Sequence, residues 1–276
     1  MDVSTHETAG ARTIKPRAPG VKFDAAMPRY WFGGMKPASL LANGVNLLFP
    51  KGERFFVRSV MHYLPQLDDA GLRAQVKGFA GQEHRHARAH EDYNVMLEAQ
   101  GYEVERFLKV YERVAFEGIE RIASPALRLA VTAATEHFTA IMAEDALSRG
   151  YFEAMNSEVG RMLMWHAAEE IEHKAVAFDV LKKVAPGYPL RMAGLALASA
   201  LLGGFWFAAV VTLARQDAKL PPEAHREPTE EEKENSPLDV FVRGIREYAR
   251  PSFHPNDRDN LGMAMEALRA LGLETA

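Results

Sequence analysis

Two Glu-x-x-His pairs have the residue types and spacing to do chemistry in this chain. They are Glu83 with His86 and Glu170 with His173, and no other glutamate is followed by histidine three residues later. Positions i and i+3 share one face of a helix, so each pair can hold a metal ion. A chain of this composition yields roughly one such pair by chance, so a pair alone is weak evidence.

A further glutamate precedes each pair at a similar distance. Glu53 lies 30 residues before Glu83, and Glu136 lies 34 residues before Glu170. Ferritin-like di-metal bundles use this inventory: one Glu from each of two helices and a Glu-x-x-His from each of two others. The pattern predicts a carboxylate-bridged dinuclear metal site on a four-helix bundle with pseudo-twofold symmetry.

Two more histidines fall on the same helix faces. His166 comes four residues before Glu170, and His90 comes four residues after His86. Either can be an additional ligand, and the alternative for His166 is a hydrogen bond to a ligating carboxylate. The predicted ligands are Glu53, Glu83, His86, His90, Glu136, His166, Glu170 and His173.

The ligand types also restrict the metal. Four carboxylates neutralise two divalent cations, and an oxygen and nitrogen donor set favours two iron ions. Manganese or a mixed iron and manganese pair is the alternative, and zinc fits less well. The chain has no cysteine, which excludes disulfides, thiolate zinc sites, iron–sulfur clusters and a cysteine nucleophile.

Each candidate has an alternative interpretation. The paired residues can be surface positions of amphipathic helices, and Glu53 in a first turn can simply complement the helix dipole. Glu136 lies in the apolar context AATEHFTAIM, where an unpaired carboxylate is costly, so a ligand role is favoured. Structural, supporting or solvated roles are expected for the remaining neighbours, which are His84, His137, Glu169 and Glu172.

Helical periodicity dominates the sequence and strand signals are nearly absent. The predicted helices cover about 53–63, 68–100, 103–122, 124–149, 156–186, 192–214, 238–250 and 257–271. The predicted fold is all-α, a ferritin-like four-helix bundle with an added apolar helix and a C-terminal helical tail. Its predicted divisions are a polar tail (1–27), the bundle (28–187), the apolar helix (188–216), and an acidic linker with C-terminal helices (217–276).

The apolar stretch 192–214 has 23 residues without a charge. As a helix it is about 35 Å long, enough to cross a hydrocarbon core of about 30 Å. A helix buried in protein is the alternative, and Gly203-Gly204 can permit a kink or close helix packing. The N-terminus lacks an apolar signal region, so we expect a cytoplasmic protein, associated through 192–214 with the inner membrane. The net charge of −4 argues against nucleic acid as a partner.

Longer segments resemble a bacterial family labelled "predicted metal-dependent hydrolase" over about residues 28–215. They are Phe49-Pro50-Lys51-Gly52-Glu53, Gln82-Glu83-His84-x-His86 and the run from Trp165 to Lys174. The spacing His166-x-x-x-Glu170-x-x-His173 is also similar to the fourth-helix motif of p-aminobenzoate N-oxygenase-type di-iron enzymes. That second resemblance covers only the ligand pattern and implies one additional histidine ligand.

The leading functional hypothesis is a di-iron oxidase or oxygenase that uses dioxygen and an electron donor on a lipophilic substrate. A metal-dependent hydrolase is the alternative, and an iron-handling or structural metal bundle is the second. A homodimer is left open.

Overall fold

The computed structural model describes residues 13–230, 232 and 237–274, and regular structure within them is helical. Strand-like pairing among these residues is limited to the isolated bridges Phe32–Met155 and Met35–Arg226. The all-α prediction is therefore confirmed. The helices are α1 (Lys36–Asn46), α2 (Phe49–Met61), α3 (Ala70–Ala99), α4 (Glu105–Tyr111), α5 (Pro125–Ser148), α6 (Ser157–His173), α7 (Val176–Val184), α8 (Tyr188–Asp217), α9 (Pro237–Tyr248) and α10 (Leu261–Ala270).

Helices α2, α3, α5 and α6 carry the predicted ligands. Helix α2 packs along α3 and α5 along α6, while contacts of α2 with α5 and of α3 with α6 complete the group. Side-chain caps fix where three of them begin: Asp69 accepts from Leu72 N–H, Ser124 from Leu127 N–H, and Asn156 from Glu158 N–H. This packing is what a four-helix bundle requires, and its ferritin-like character stays a prediction.

The structure differs from the predicted helices in three places. Helix α1 was not predicted, because its eleven residues include two Asn and a Gly. The segment 103–122 is α4 followed by a π-helix, Glu112–Glu120. The segment 156–186 is interrupted at Lys174 and Ala175, where neither Gly nor Pro marks a helix end. There the buried Lys174 ammonium donates to Arg258 O and Asn260 Oδ1, both at 2.6 Å.

The ends of the chain lie partly outside the described residues. Residues 1–12 of the predicted polar tail and residues 231, 233–236, 275 and 276 of the predicted C-terminal region belong to that part. Within the described part of the tail, Ile14 and Arg17 are buried. The predicted domain boundaries themselves stay predictions.

Helix α8 corresponds to the predicted apolar segment. It is long and apolar enough to cross a membrane, with mean hydropathy 2.0 and 22% of its most apolar window buried. Soluble core helices can meet the same criterion, so membrane association stays a prediction. The helix packs against α5 near Gly194 and against α1 near Val210. Outward-facing Phe207 is 72% exposed.

The contact between α8 and α5 depends on Gly194. A Cβ atom there would lie 2.5 Å from the carbonyl carbon of Ala130, whereas a Cβ at Gly203 would meet nothing within 4 Å. Close helix packing therefore occurs at Gly194 and not at Gly203-Gly204.

We expect Gly194→Ala to destabilise the fold and Gly203→Ala not to destabilise it. Gly194→Ala forces the helices apart and should lower the free energy of unfolding by about 1–3 kcal/mol. Gly203→Ala should leave it unchanged or raise it by up to about 1 kcal/mol, through helix propensity alone. Urea unfolding of both variants measures the difference, and equal effects would contradict this packing.

Candidate metal centre

The predicted ligands converge inside the four-helix group. None of the eight residues is more than 4% exposed. This burial excludes the interpretation as surface residues of amphipathic helices. Helix α2 begins one turn before Glu53, which faces inward, so the helix-dipole alternative for that residue is also disfavoured. Three groups have ligand atoms within 4.8 Å of one another: Glu53, His86 and His166; Glu83, Glu136 and His173; and Glu83, His86 and Glu170.

Glu170 lies between the three histidines of these groups. Its Oε1 is 2.9 Å from His166 Nε2, 3.5 Å from His173 Nε2 and 3.6 Å from His86 Nδ1. Glu83 Oε1 is 3.1 Å from His173 Nε2 and 3.8 Å from His86 Nδ1. Glu83 and Glu170 therefore each face both His86 and His173. Carboxylates shared between two cations need this arrangement.

Nine ligand atoms of this cluster are buried and make no hydrogen bond of good geometry with the described residues, while Glu170 Oε1 and His166 Nε2 contact each other at 2.9 Å. The nine atoms are both carboxylate oxygens of Glu53, Glu83 and Glu136, together with Glu170 Oε2, His86 Nδ1 and His173 Nε2. A buried polar atom without a partner costs about 1–3 kcal/mol, and more when charged. Cations would satisfy all of these atoms at once, so the residues fit a dinuclear metal group.

Burial and mutual repulsion disturb the protonation of the carboxylates. Burial, and then the neighbouring carboxylates, raise the pKa of Glu53 and of Glu83 well above the ordinary value. Burial raises the pKa of Glu136 to about 7, with a contribution from Glu170. Burial alone would lower the pKa of His173, but the surrounding carboxylates, Glu170 first, raise it. Without metal, the cluster therefore retains protons that a cation would displace.

His86 and His173 are each oriented by a hydrogen bond to one neighbouring side chain. For His86 this is Glu169, and for His173 it is Gln82. His86 Nε2–H donates to Glu169 Oε2 at 3.0 Å, and His173 Nδ1–H donates to Gln82 Oε1 at 2.8 Å. These bonds leave His86 Nδ1 and His173 Nε2 facing the carboxylates. Sequence reasoning missed Gln82, although a histidine ligand usually donates its second N–H to such an acceptor.

Glu169 and Glu172 were predicted to be solvated or supporting, and the structure buries both. Glu169 is fully buried beside Arg17, and the side chain of Glu172 is 2% exposed in the same ion pair. Burial raises the pKa of Glu169 to about 7, although Arg17 acts in the opposite direction. The solvated interpretation is therefore wrong for both, and the supporting one agrees with their contacts.

His90 supports His166 in this structure instead of joining the groups of ligand atoms. Its Nδ1–H donates to Asn46 Oδ1, and its Nε2 accepts from His166 Nδ1–H at 2.7 Å. Both ring nitrogens of His90 have protein partners, and His90 belongs to none of the three groups of ligand atoms, so its ligand role stays a prediction. Asn46 was missed because α1 was not predicted. His84 is exposed and His137 Nε2–H donates to Gly244 O, so both lie outside the cluster as expected.

An apolar cavity of about 90 Å³ lies beside the cluster, between α2, the π-helix, α5 and α8. Its wall includes Phe56, Phe116 and Leu201. It also includes Gly52 and Thr135, which directly precede Glu53 and Glu136 in the chain. The cavity can therefore place an apolar group next to the backbone that carries two candidate ligands.

The described part of the chain is all-helical, and its packed helices bury four glutamates and three histidines close together. These residues form a candidate metal centre. The chain belongs to the family described as "Predicted metal-dependent hydrolase", whose model matches residues 15–259. That match confirms the first resemblance and extends it beyond residues 28–215 in both directions. No curated protein and no solved structure matches the chain, and the comparisons give no support to the N-oxygenase resemblance.

Proposed function

We propose that this chain is a metal-dependent enzyme with a dinuclear centre. One cation would be held by Glu53, His86 and His166, the other by Glu83, Glu136 and His173, with Glu170 shared between them. The observation that carries the proposal is the set of buried donor atoms without hydrogen-bond partners. The family description independently supports dependence on metal.

Hydrolysis is the first candidate reaction, because the family is described as a hydrolase. Bound cations supply Lewis acidity and lower the pKa of water, and redox-active cations can also reduce dioxygen. The chain's own residues would fix the imidazoles through Gln82, Glu169 and His90. The apolar cavity would orient an apolar substrate and exclude bulk water from it.

Oxidation of a lipophilic substrate with dioxygen is the second candidate. The observation that favours it is the donor set: four glutamates on helices suit two iron ions, manganese or a mixed pair. The cavity beside Glu53 and Glu136 is lined mainly by apolar side chains, as oxidation of such a substrate requires. This reaction would also need an external electron donor.

Metal replacement under controlled gas distinguishes the two reactions. Cleavage of p-nitrophenyl esters of medium-chain acids under nitrogen, by protein loaded with zinc or manganese, would support hydrolysis. Oxygen consumption by the Fe(II)-loaded protein, increased by an apolar substrate and a reductant, would support oxidation. A loaded protein that does neither, or that takes up many iron ions per chain, would favour the non-enzymatic alternative.

We further propose that α8 attaches a cytoplasmic protein to the surface of the inner membrane. Both ends of the helix are hydrogen-bonded to other parts of the chain, since Arg191 donates to Arg250 O and Tyr102 donates to Asp217. Its outward face is apolar and its inward face forms part of the cavity wall. A helix held in this way lies along the membrane surface more readily than across it, and a lipophilic substrate can reach the cavity from lipid.

Phe207→Asp is expected to reduce binding to phosphatidylcholine vesicles containing phosphatidylglycerol at least tenfold, because a carboxylate replaces an exposed apolar side chain. Vesicle flotation measures it. Val95→Asp, at a residue 64% exposed on α3, is the matched control and should bind like the wild type. Equal binding by both variants would contradict attachment through α8. If the wild-type protein does not bind vesicles but forms a dimer that depends on Phe207, then a second copy of the chain covers the outward face of α8.

A further inference from the structure

An N-terminal strap, residues 14–22, crosses the two helices that carry the Glu-x-x-His pairs. It runs over α3 at Gly78 and Gly81, where a Cβ atom would overlap Ile14 and Pro16 respectively. It then follows α6, where Arg161 Nε donates to Pro19 O at 2.6 Å. The two glycines, three residues apart, provide the close approach that this path requires.

Arg17 on the strap joins two buried carboxylates of α6. Its Nη1 donates to Glu169 Oε1 at 3.1 Å and to Glu172 Oε2 at 2.7 Å, and its Nη2 donates to Glu172 Oε1 at 3.1 Å. Its backbone N–H donates to Glu169 Oε1 at 3.1 Å as well. The Arg17 side chain is only 5% exposed, so these contacts are largely shielded from water.

Each of these two carboxylates connects Arg17, through hydrogen bonds, to one histidine of the metal centre. Glu169 accepts directly from His86. Glu172 Oε2 accepts from Gln82 Nε2 at 2.6 Å, and Gln82 in turn accepts from His173. Each of these hydrogen-bond paths ends on one ring nitrogen of its histidine, and the other ring nitrogen has no hydrogen-bond partner. Each path therefore fixes which nitrogen faces the carboxylate cluster.

We propose that Arg17 is a positioning residue that orients His86 and His173 for metal binding from outside the metal centre. This inference rests on the proposed function, because it requires that the two histidines bind metal. A planar guanidinium can donate to two carboxylates at once in fixed directions, which a lysine ammonium cannot reproduce. Without it, Glu169 and Glu172 lose their shared cation, and both acceptors of the histidine N–H groups become free to turn.

Cobalt titration of the metal-free full-length protein tests the proposal. Arg17→Gln should weaken Co²⁺ binding about 10–100-fold and alter the visible absorption of the bound ion, as expected for loss of a partner that orients ligands. Arg17→Lys should restore binding only in part. Ile14→Ala, which loosens the packing of the strap and leaves the guanidinium in place, is the control and should titrate like the wild type.

If Arg17→Gln does not fold, two single-path variants, each of which interrupts one of the two hydrogen-bond paths, still test the proposal. Gln82→Leu interrupts only the path to His173 and should weaken one cobalt site, whereas Glu169→Gln should weaken the site that contains His86. Wild-type affinity and spectrum in Arg17→Gln, or in both single-path variants, would overturn the role of Arg17. Failure of the wild-type protein to bind stoichiometric Co²⁺ would instead overturn the proposed function.

Discussion

Replacement of Glu170 by alanine is expected to abolish stoichiometric metal binding and to lower turnover at least 100-fold. The Oε1 atom of Glu170 lies within 3.6 Å of ligand nitrogens on all three histidines of the donor groups. No other predicted ligand is paired with all three in this way among the described residues. Loss of a carboxylate shared by two cations weakens both positions, whereas loss of a peripheral ligand weakens one.

Glu98→Ala is the matched control for this variant, because Glu98 is an exposed glutamate on α3. Metal content per chain, determined by elemental analysis of both folded variants, should fall only for Glu170→Ala. Full metal content in folded Glu170→Ala would show that the proposed shared position is wrong.

The metal-free protein is expected to lose stability as pH rises from about 6.5 to 8.5. The pKa of Glu136 is about 7 in the folded chain, against an ordinary value of 4.5, and those of Glu53 and Glu83 are also raised. The stabilising contribution of a carboxyl group with a raised pKa is complete below its unfolded pKa and falls until pH passes its folded pKa, so for Glu136 only the last part of this loss lies above pH 6.5. The raised pKa of His173 acts in the same direction.

Other groups of the cluster act in the opposite direction at lower pH. Burial lowers the pKa of His86 and of His90. These two residues therefore reduce the stability of the fold as pH falls below about 6.5. Although burial alone would raise the pKa of Glu170, His173 holds it below the ordinary value, so its effect is confined to acid pH. Above pH 6.5, the carboxyl groups with raised pKa and His173 therefore dominate among the cluster residues.

Scanning calorimetry of chelator-treated protein should show a Tm lower by at least about 2 °C at pH 8.5 than at pH 6.5. Glu136→Gln should reduce this decline, and the metal-loaded protein should not show it, because bound cations replace the protons. A metal-free Tm that is constant or rises over this interval would contradict the described crowding of carboxylates.

The candidate ligands were predictable because their spacing is local. Glu83 and His86 share one turn of one helix, and the same holds for Glu170 and His173, so periodicity alone places each pair on one face. Glu136 was recognisable because a carboxylate in an apolar helix needs a partner. The all-helical class follows from the same periodicity.

The supports that come from distant parts of the chain were not predictable, unlike Glu169, which directly precedes a predicted ligand. Asn46 reaches His90 from a short helix with weak propensity, and Arg17 reaches Glu169 across 152 residues. The orientation of His90 toward His166 also depends on how α3 and α6 pack. Spacing alone therefore could not separate a histidine that faces the cluster from one that supports its neighbour.

Elemental analysis of the protein, purified aerobically from a bacterial host without chelator, tests the central proposal most directly. A dinuclear centre predicts about two transition-metal ions per folded chain, and about none in Glu170→Ala. The absence of stoichiometric metal from a folded wild-type sample would contradict the assignment of these buried glutamates and histidines as a metal centre.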